Sequence, residues 1–247
     1  MITVAWLSGT GWGQTPDGVS REFARHLDPD RFEFLPVAYP ADFGTRTSYT
    51  DSVLAGRKAL ADAVRATPHR AVIGGYSQGA YIAGSLARDI ADGRFGDLDV
   101  LACALIADPA RPRLAGLPGE TPAPDYGISG ERHIGDSVPT YWAAVPDDPI
   151  TSLPEGSLLR ALADITEYMT ISTPEGARAW ADDLIDRALR ARWQPAHWFD
   201  WRAWTRAADE ARRYLPRPVG GGRHDAAYIE LGLCARLAQT VNREVRP

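Results

Sequence analysis

Residues 71–79 read Ala71-Val72-Ile73-Gly74-Gly75-Tyr76-Ser77-Gln78-Gly79, a short apolar run that closes in G-x-S-x-G. Ala71 to Gly74 predicts a buried strand. From Gln78 onward Ile82, Leu86 and Ile90 recur at four-residue steps, the spacing of an amphipathic helix. A serine between such a strand and such a helix sits on a turn too sharp for side chains on either flank, which is why glycines stand two before and two after it. The turn lifts the hydroxyl out of the sheet and leaves the helix N-terminus pointing at it. A bare G-x-S-x-G is common. Its setting here makes Ser77 a candidate nucleophile, against the plainer reading of a simple strand-to-helix turn.

The chain around this stretch repeats the same alternation. Ile2 to Leu7, Phe32 to Val37, Val100 to Ala107 and Tyr141 to Val145 read as strands. Helices are predicted over Gly18 to Leu27 and Asp51 to Arg65, the second burying Val53, Leu60 and Val64. Continuous apolar strands alternating with amphipathic helices predict an α/β fold on a mostly parallel sheet. From Asp108 to Ser137 the text turns to Pro, Gly and Arg without period and reads as a long surface loop. After Val145 it becomes helical: Leu158, Leu162, Ile165 and Met169 form one stripe, and Thr173-Pro174-Glu175 caps a helix carrying Trp180 and Leu184. A further helix is predicted from Asp200 to Tyr214. After Gly220-Gly221-Gly222 a last one runs from Asp225 to Asn242.

At 247 residues the chain fits one domain with a sizeable insertion, and its 45% hydrophobic and 24% charged residues exclude a disordered or fibrous class. It carries 27 basic and 32 acidic residues, a net charge of −5, so it lacks the field that holds nucleic acid by its phosphates. Lys58 is the single lysine; the arginines are read as scattered, solvated charges reflecting coding bias. Cys103 and Cys234, each among apolar neighbours, read as inert buried thiols. No apolar run reaches the length of a membrane span, and no basic segment followed by an apolar stretch precedes Ile2, so neither a transmembrane segment nor a secretory leader is expected.

A serine hydroxyl needs a base to take its proton. Where a G-x-S-x-G turn carries the nucleophile, the partners follow in the order serine, acid, histidine. That order discards His26 and His69. His133 lies before the expected acid, and His197 lies within the helical stretch beside a tryptophan cluster. His224 remains, after a glycine-rich loop and directly before the last helix. The acid is expected after a late strand, where Val145-Pro146-Asp147-Asp148-Pro149-Ile150 offers two aspartates, one of them to serve and the other to cap the turn. Asp108, also at a strand end, is a further candidate, read otherwise as an Asp-Pro turn. For the oxyanion, the N–H of Gln78 is one expected donor; the loop Ser8-Gly9-Thr10-Gly11 after the first strand supplies a second, at Thr10. Gly9, Gly11 and Gly13 do not form a dinucleotide site, because Gln14 stands where the third glycine of G-x-G-x-x-G belongs. With neither H-E-x-x-H nor C-x-x-C present, no metal and no cofactor is expected.

Gly75-Tyr76-Ser77-Gln78-Gly79, with glutamine after the serine, resembles the cutinase-type nucleophile elbow. Together with Leu7-Ser8-Gly9-Thr10-Gly11, Asp108-Pro109 and the helical stretch between acid and histidine, the chain resembles the lysin B family. These are esterases with which actinobacteriophages cut the ester joining mycolic acids to arabinogalactan. The resemblance implies a cutinase-like α/β-hydrolase fold, with a core of residues 1–150 and 216–247 interrupted by a helical insert at 151–215. It implies Ser77, Asp148 and His224 as catalytic residues, because Asp148-Pro149-Ile150 fits the register of the family's acid while Asp147 stands where that pattern has glycine. It agrees with Tyr228 downstream of the histidine. It implies mycolyl-arabinogalactan or another lipid ester as substrate, a general cutinase- or lipase-like esterase being the alternative. It further implies a protein made in the host cytoplasm that acts on the host envelope. Secreted cutinases carry disulfides around the acid; the two cysteines here permit none. Trp193, Trp198, Trp201 and Trp204 fall close together. They either pack the insert onto the core or, as is expected of Trp198 and Trp201, line a groove for acyl chains.

Overall fold

The computed structural model describes residues 1–44, 46–160, 201–214 and 221–246, with the backbone alone at 201 and 203. Five strands form one parallel sheet: β1 (Ile2–Leu7), β2 (Phe32–Pro36), β3 (Ala71–Tyr76), β4 (Val100–Ile106) and β5 (Thr140–Ala143), in the spatial order β2-β1-β3-β4-β5. Along β1 the side chains alternate between two buried faces. Ile2, Val4 and Trp6 pack on one side with Phe23, Leu237 and Val241, while Ala5 and Leu7 pack on the other with Leu60, Ile82 and Leu86. The first face is covered by α1 (Gly18–Arg25) and α6 (Leu233–Glu244), the second by α2 (Tyr49–Ala66) and α3 (Gln78–Ala91). Because both faces are covered, every residue of β1 and β3 is buried. This is a doubly wound α/β sheet. Its strand order reverses between β1 and β3, and the crevice beyond their carboxyl ends is where such sheets bind ligands.

The helices start where the sequence offers caps. Asp17 accepts the Ser20 N–H at 2.8 Å to begin α1, and Ser48 accepts the Asp51 N–H at 3.0 Å to begin α2. The structure departs from expectation in four places. Strand β3 runs on through Gly75 and Tyr76, both still paired with β4, so the turn after it is confined to Ser77. Strand β5 ends at Ala143, and the N–H of Val145 bonds the Tyr228 hydroxyl at 3.3 Å instead of a neighbouring strand. The single terminal helix is two: α5 (Ala226–Glu230) and α6, separated at Gly232, whose φ of 68° is the left-handed conformation that ends a helix.

The fourth departure is the arginines and the loop they occupy. Arg111, Arg132 and Arg160 are buried, not solvated. Arg111 donates to the carbonyls of Thr151 (2.9 Å) and Ala115 (2.8 Å) and to Ser152 Oγ (3.2 Å). Arg160 donates to the carbonyls of Gly127 (2.5 Å), Tyr126 (2.9 Å) and Pro154 (3.1 Å). A buried charge is tolerable when such acceptors surround it. Desolvation nevertheless lowers both guanidinium groups, Arg160 to about 10. The stretch after β4 is therefore irregular but internally pinned, and it ties the turn at 148–152 to the body of the protein.

Of the expected insert at 151–215, residues 151–160 and helix α4 (Trp201–Tyr214) are described. Leu158 and Leu159 meet Ala207 in a small apolar cluster, and Ser157 Oγ donates to Glu210 at 2.6 Å. The expected helices between these segments, with Trp193 and Trp198, lie outside the described residues, as does the side chain of Trp201. Trp204 is exposed. Among the described residues no helix is long and apolar enough to cross a membrane.

Candidate active site

Ser77 occupies the turn between β3 and α3 with φ 56° and ψ −117°, a strained conformation for a residue with a side chain. Two glycines make the turn possible. A Cβ on Gly75 would stand 2.3 Å from the carbonyl carbon of Gly79, and one on Gly79 would stand 2.1 Å from the carbonyl oxygen of Leu7. The hydroxyl is thereby held at the head of α3, above the carboxyl ends of β1 and β3.

Three distant segments meet there. His224 Nε2 lies 2.8 Å from Ser77 Oγ. Its Nδ1 faces the carboxylate of Asp148, 3.0 Å from Oδ2 and 3.2 Å from Oδ1. With Nδ1 donating to the carboxylate, Nε2 is left to accept from the serine. His224 is almost completely buried and Asp148 completely so. Asp148 also accepts the Tyr228 hydroxyl at 2.7 Å and the Ile150 N–H at 3.0 Å.

Of the other aspartates considered, Asp147 does not cap the turn: it pairs with Arg223, whose Nε lies 2.7 Å from Oδ1. Asp108 is bonded to Arg132 (2.6 Å), to Trp142 Nε1 (3.1 Å) and to its own turn through the Ala110 N–H (3.0 Å). That last contact is the Asp-Pro turn. His26 is bound to Glu22 on α1.

The loop after β1 lies against the serine. The N–H of Gly9 is taken by Asp17 Oδ2 at 3.0 Å and that of Gly11 by the Ala41 carbonyl at 2.8 Å. Among the described residues no acceptor takes the Thr10 N–H between them. Gln78 opens α3, where first-turn N–H groups have no partner inside the helix. Its buried side chain organises the rim. Nε2 donates to the Asp42 carbonyl at 3.0 Å, and Oε1 accepts the Thr10 hydroxyl at 3.3 Å. Thr10 and Gln78 thus stand side by side at the topological switch point.

Several contributors carry no motif of their own. Tyr76 donates its hydroxyl to the His224 carbonyl at 2.5 Å and stacks on the imidazole with ring centres 5.3 Å apart. Tyr214, at the end of α4, flanks the same imidazole at 5.2 Å. The N–H groups of Gly221 and Arg223 bond the carbonyls of Arg212 and Arg213, each at 3.0 Å, so the histidine loop hangs from the last turn of α4. Burial, with the Asp148 charge second, raises the hydroxyls of Tyr76 and Tyr228 well above the usual tyrosine value, which keeps both as donors. The one signal in the sequence is spacing: Tyr228 stands four residues after His224. Among the described residues no cluster of histidine, cysteine or carboxylate side chains fits a metal ion. Both thiols are buried and free, and burial pushes Cys234 up to about 12.

Lysin B of mycobacteriophage D29 superposes on 81% of this chain and 93% of its own, with a TM-score of 0.55 and 21% identity. The chain shares the α/β fold of that lysin B. The catalytic core of acetyl xylan esterase from Trichoderma reesei covers 76% of this chain and 95% of its own, at a TM-score of 0.46 and 20% identity. A cutinase-like protein from Cryptococcus sp. covers 79% and 97%, at 0.46 and 14%. No protein-family model matches the sequence, and no curated protein matches it. In this fold the crevice at the β1/β3 reversal holds Ser77, Thr10 and Gln78, and the late loops bring Asp148 and His224 over it.

Proposed function

We propose that the protein is a serine esterase that hydrolyses the ester between mycolic acids and arabinogalactan of the actinobacterial envelope, in phage-mediated lysis of the host. The observation that carries the esterase reading is the unbroken line from Ser77 Oγ through His224 to Asp148, with separations of 2.8 Å and 3.0 Å. His224 Nε2 takes the Ser77 proton as Oγ bonds to the ester carbonyl carbon, and the carbonyl π pair moves to oxygen. The N–H groups of Gln78 and Thr10 receive that oxyanion. Its collapse expels the sugar alkoxide, which leaves with the proton from Nε2, and an acyl-serine remains. Water then repeats the sequence, giving its proton to Nε2 and releasing the fatty acid and Ser77. Asp148 holds the imidazole in the required tautomer and stabilises the imidazolium.

The substrate is supported by the lysin B likeness and by the helical stretch between acid and histidine, whose residue Tyr214 flanks the imidazole. Incubation with purified mycolyl-arabinogalactan tests it: free mycolic acid should appear, and should not appear with Ser77→Ala. Hydrolysis of p-nitrophenyl esters without mycolate release would leave a general esterase of lipid esters. A fluorophosphonate probe that fails to label Ser77 would remove the esterase reading altogether.

A further inference from the structure

Resting on the esterase reading above, a second tyrosine-borne contact extends the machinery. The completely buried Asp148 carboxylate gives its Oδ2 to two donors at once: His224 Nδ1 at 3.0 Å and the Tyr228 hydroxyl at 2.7 Å. Its Oδ1 takes the Ile150 N–H at 3.0 Å. Tyr228 is itself completely buried, its hydroxyl accepts the Val145 N–H at 3.3 Å, and its ring meets Tyr76 edge-on at 6.4 Å. It cannot turn away from the carboxylate without leaving two polar groups buried and unpaired. Helix α5 places it one turn after His224, so a single five-residue helix carries a second contact to the acid next to the base. The interruption at Gly232 lets this short helix take its own direction, separate from α6.

We propose that Tyr228 is a positioning residue: its hydroxyl fixes the Asp148 carboxylate in the plane that the imidazole needs and draws off part of the charge on the shared oxygen. Two consequences follow. Without the hydroxyl the carboxylate rotates more freely, so fewer turnovers find the imidazole aligned. The oxygen facing Nδ1 also becomes more negative and favours the imidazolium, so the acidic limb of the activity profile moves to higher pH. The other groups facing the imidazole are Ser77, Tyr76 and Tyr214. Asp225 and the Asp147–Arg223 pair flank it, and Arg111 senses the Asp148 charge from behind. Of these, Arg111 and Tyr76 also interact with Tyr228 itself, which is why the Asp148→Asn background below is needed to isolate the route through the carboxylate.

The test is Tyr228→Phe, assayed with a p-nitrophenyl ester over about pH 5 to 9. The expected result is a kcat lower by about 10- to 100-fold, the scale of a lost buried bond to a charged group. KM should stay within about two-fold, and the acidic limb should move up by about half a pH unit. In an Asp148→Asn background the same change should cost less than about two-fold, because its route runs through the carboxylate. A kcat within about two-fold of the parent with a superimposable pH profile would overturn the proposal. If the variant does not fold, site-specific 3-fluorotyrosine at position 228 keeps the hydroxyl and makes it a stronger donor. The limb must then move to lower pH, and an unmoved limb overturns the proposal. Parent protein that a fluorophosphonate labels, paired with an unmoved variant, removes Tyr228 alone. Parent protein that is not labelled removes the esterase reading, and this proposal with it.

Discussion

The two halves of the candidate site are built by different means. On the serine side the backbone does the positioning: Ser77 is held at φ 56° by two glycines pressed against main-chain atoms, and the Thr10 loop is fixed by N–H bonds from Gly9 and Gly11. On the acid–base side the turn at Asp148 and the loop at His224 belong to no strand or long helix. Side chains from elsewhere hold them: Tyr76, Tyr228, the Asp147–Arg223 pair and the buried Arg111. A backbone-built half tolerates no added atom but is indifferent to charge. A side-chain-built half tolerates small changes of volume and is sensitive to the loss of single hydrogen bonds.

This contrast is open to attack at several points. The largest effect is expected from Ser77→Ala, which should lower kcat/KM for an ester by about 10³- to 10⁶-fold while the thermal unfolding curve stays in place. Full turnover by that variant would remove the nucleophile assignment. Gly79→Ala should act through the fold instead. Its Cβ meets the Leu7 carbonyl oxygen at 2.1 Å, and a denaturant titration should show a loss of about 1–3 kcal/mol or more, the cost of overpacking. An unchanged midpoint would refute the backbone account of the serine side.

Alkaline pH probes the side-chain half. Burial raises Tyr76 and Tyr228 well above the ordinary tyrosine value of 10.0. Their contribution to stability is therefore whole below that pH and declines as pH rises toward the folded-state values, since the unfolded chain then releases protons that the folded one keeps. Urea midpoints should hold steady up to that point and fall beyond it; a flat curve would contradict the burial of these hydroxyls. The smallest effect belongs to Asp147→Asn, which breaks a half-exposed ion pair worth no more than about 1 kcal/mol, or about five-fold in activity. At about 1 M salt the parent and the variant should converge.

What was legible in the sequence follows the same division. The serine turn is a local object: strand, glycine, serine, glycine and helix lie within twenty residues, and the periodicity of Ile82, Leu86 and Ile90 marks the helix. Sheet class and the place of the Gly-Thr-Gly loop were readable for the same reason. Asp147 and Asp148 were not separable from local text, since both follow the same strand; what distinguishes them is that Arg223 meets one and His224 the other, across 76 residues of chain. Arg111 and Arg160 read as surface charges because nothing nearby shows that carbonyls at positions 123–128 and 151–154 will close around them. The break at Gly232 is masked in the sequence because Ile229, Leu233, Leu237 and Val241 keep a four-residue apolar period across it.

The amides of Gly221 and Arg223 hang from the final turn of α4, and Tyr214 from that turn lies on the imidazole. Cutting away helix α4 would therefore strip the His224 loop of part of its scaffolding. Helix α4 is a structural member of the histidine side of the candidate site, and designs that shorten it should graft a substitute for that final turn.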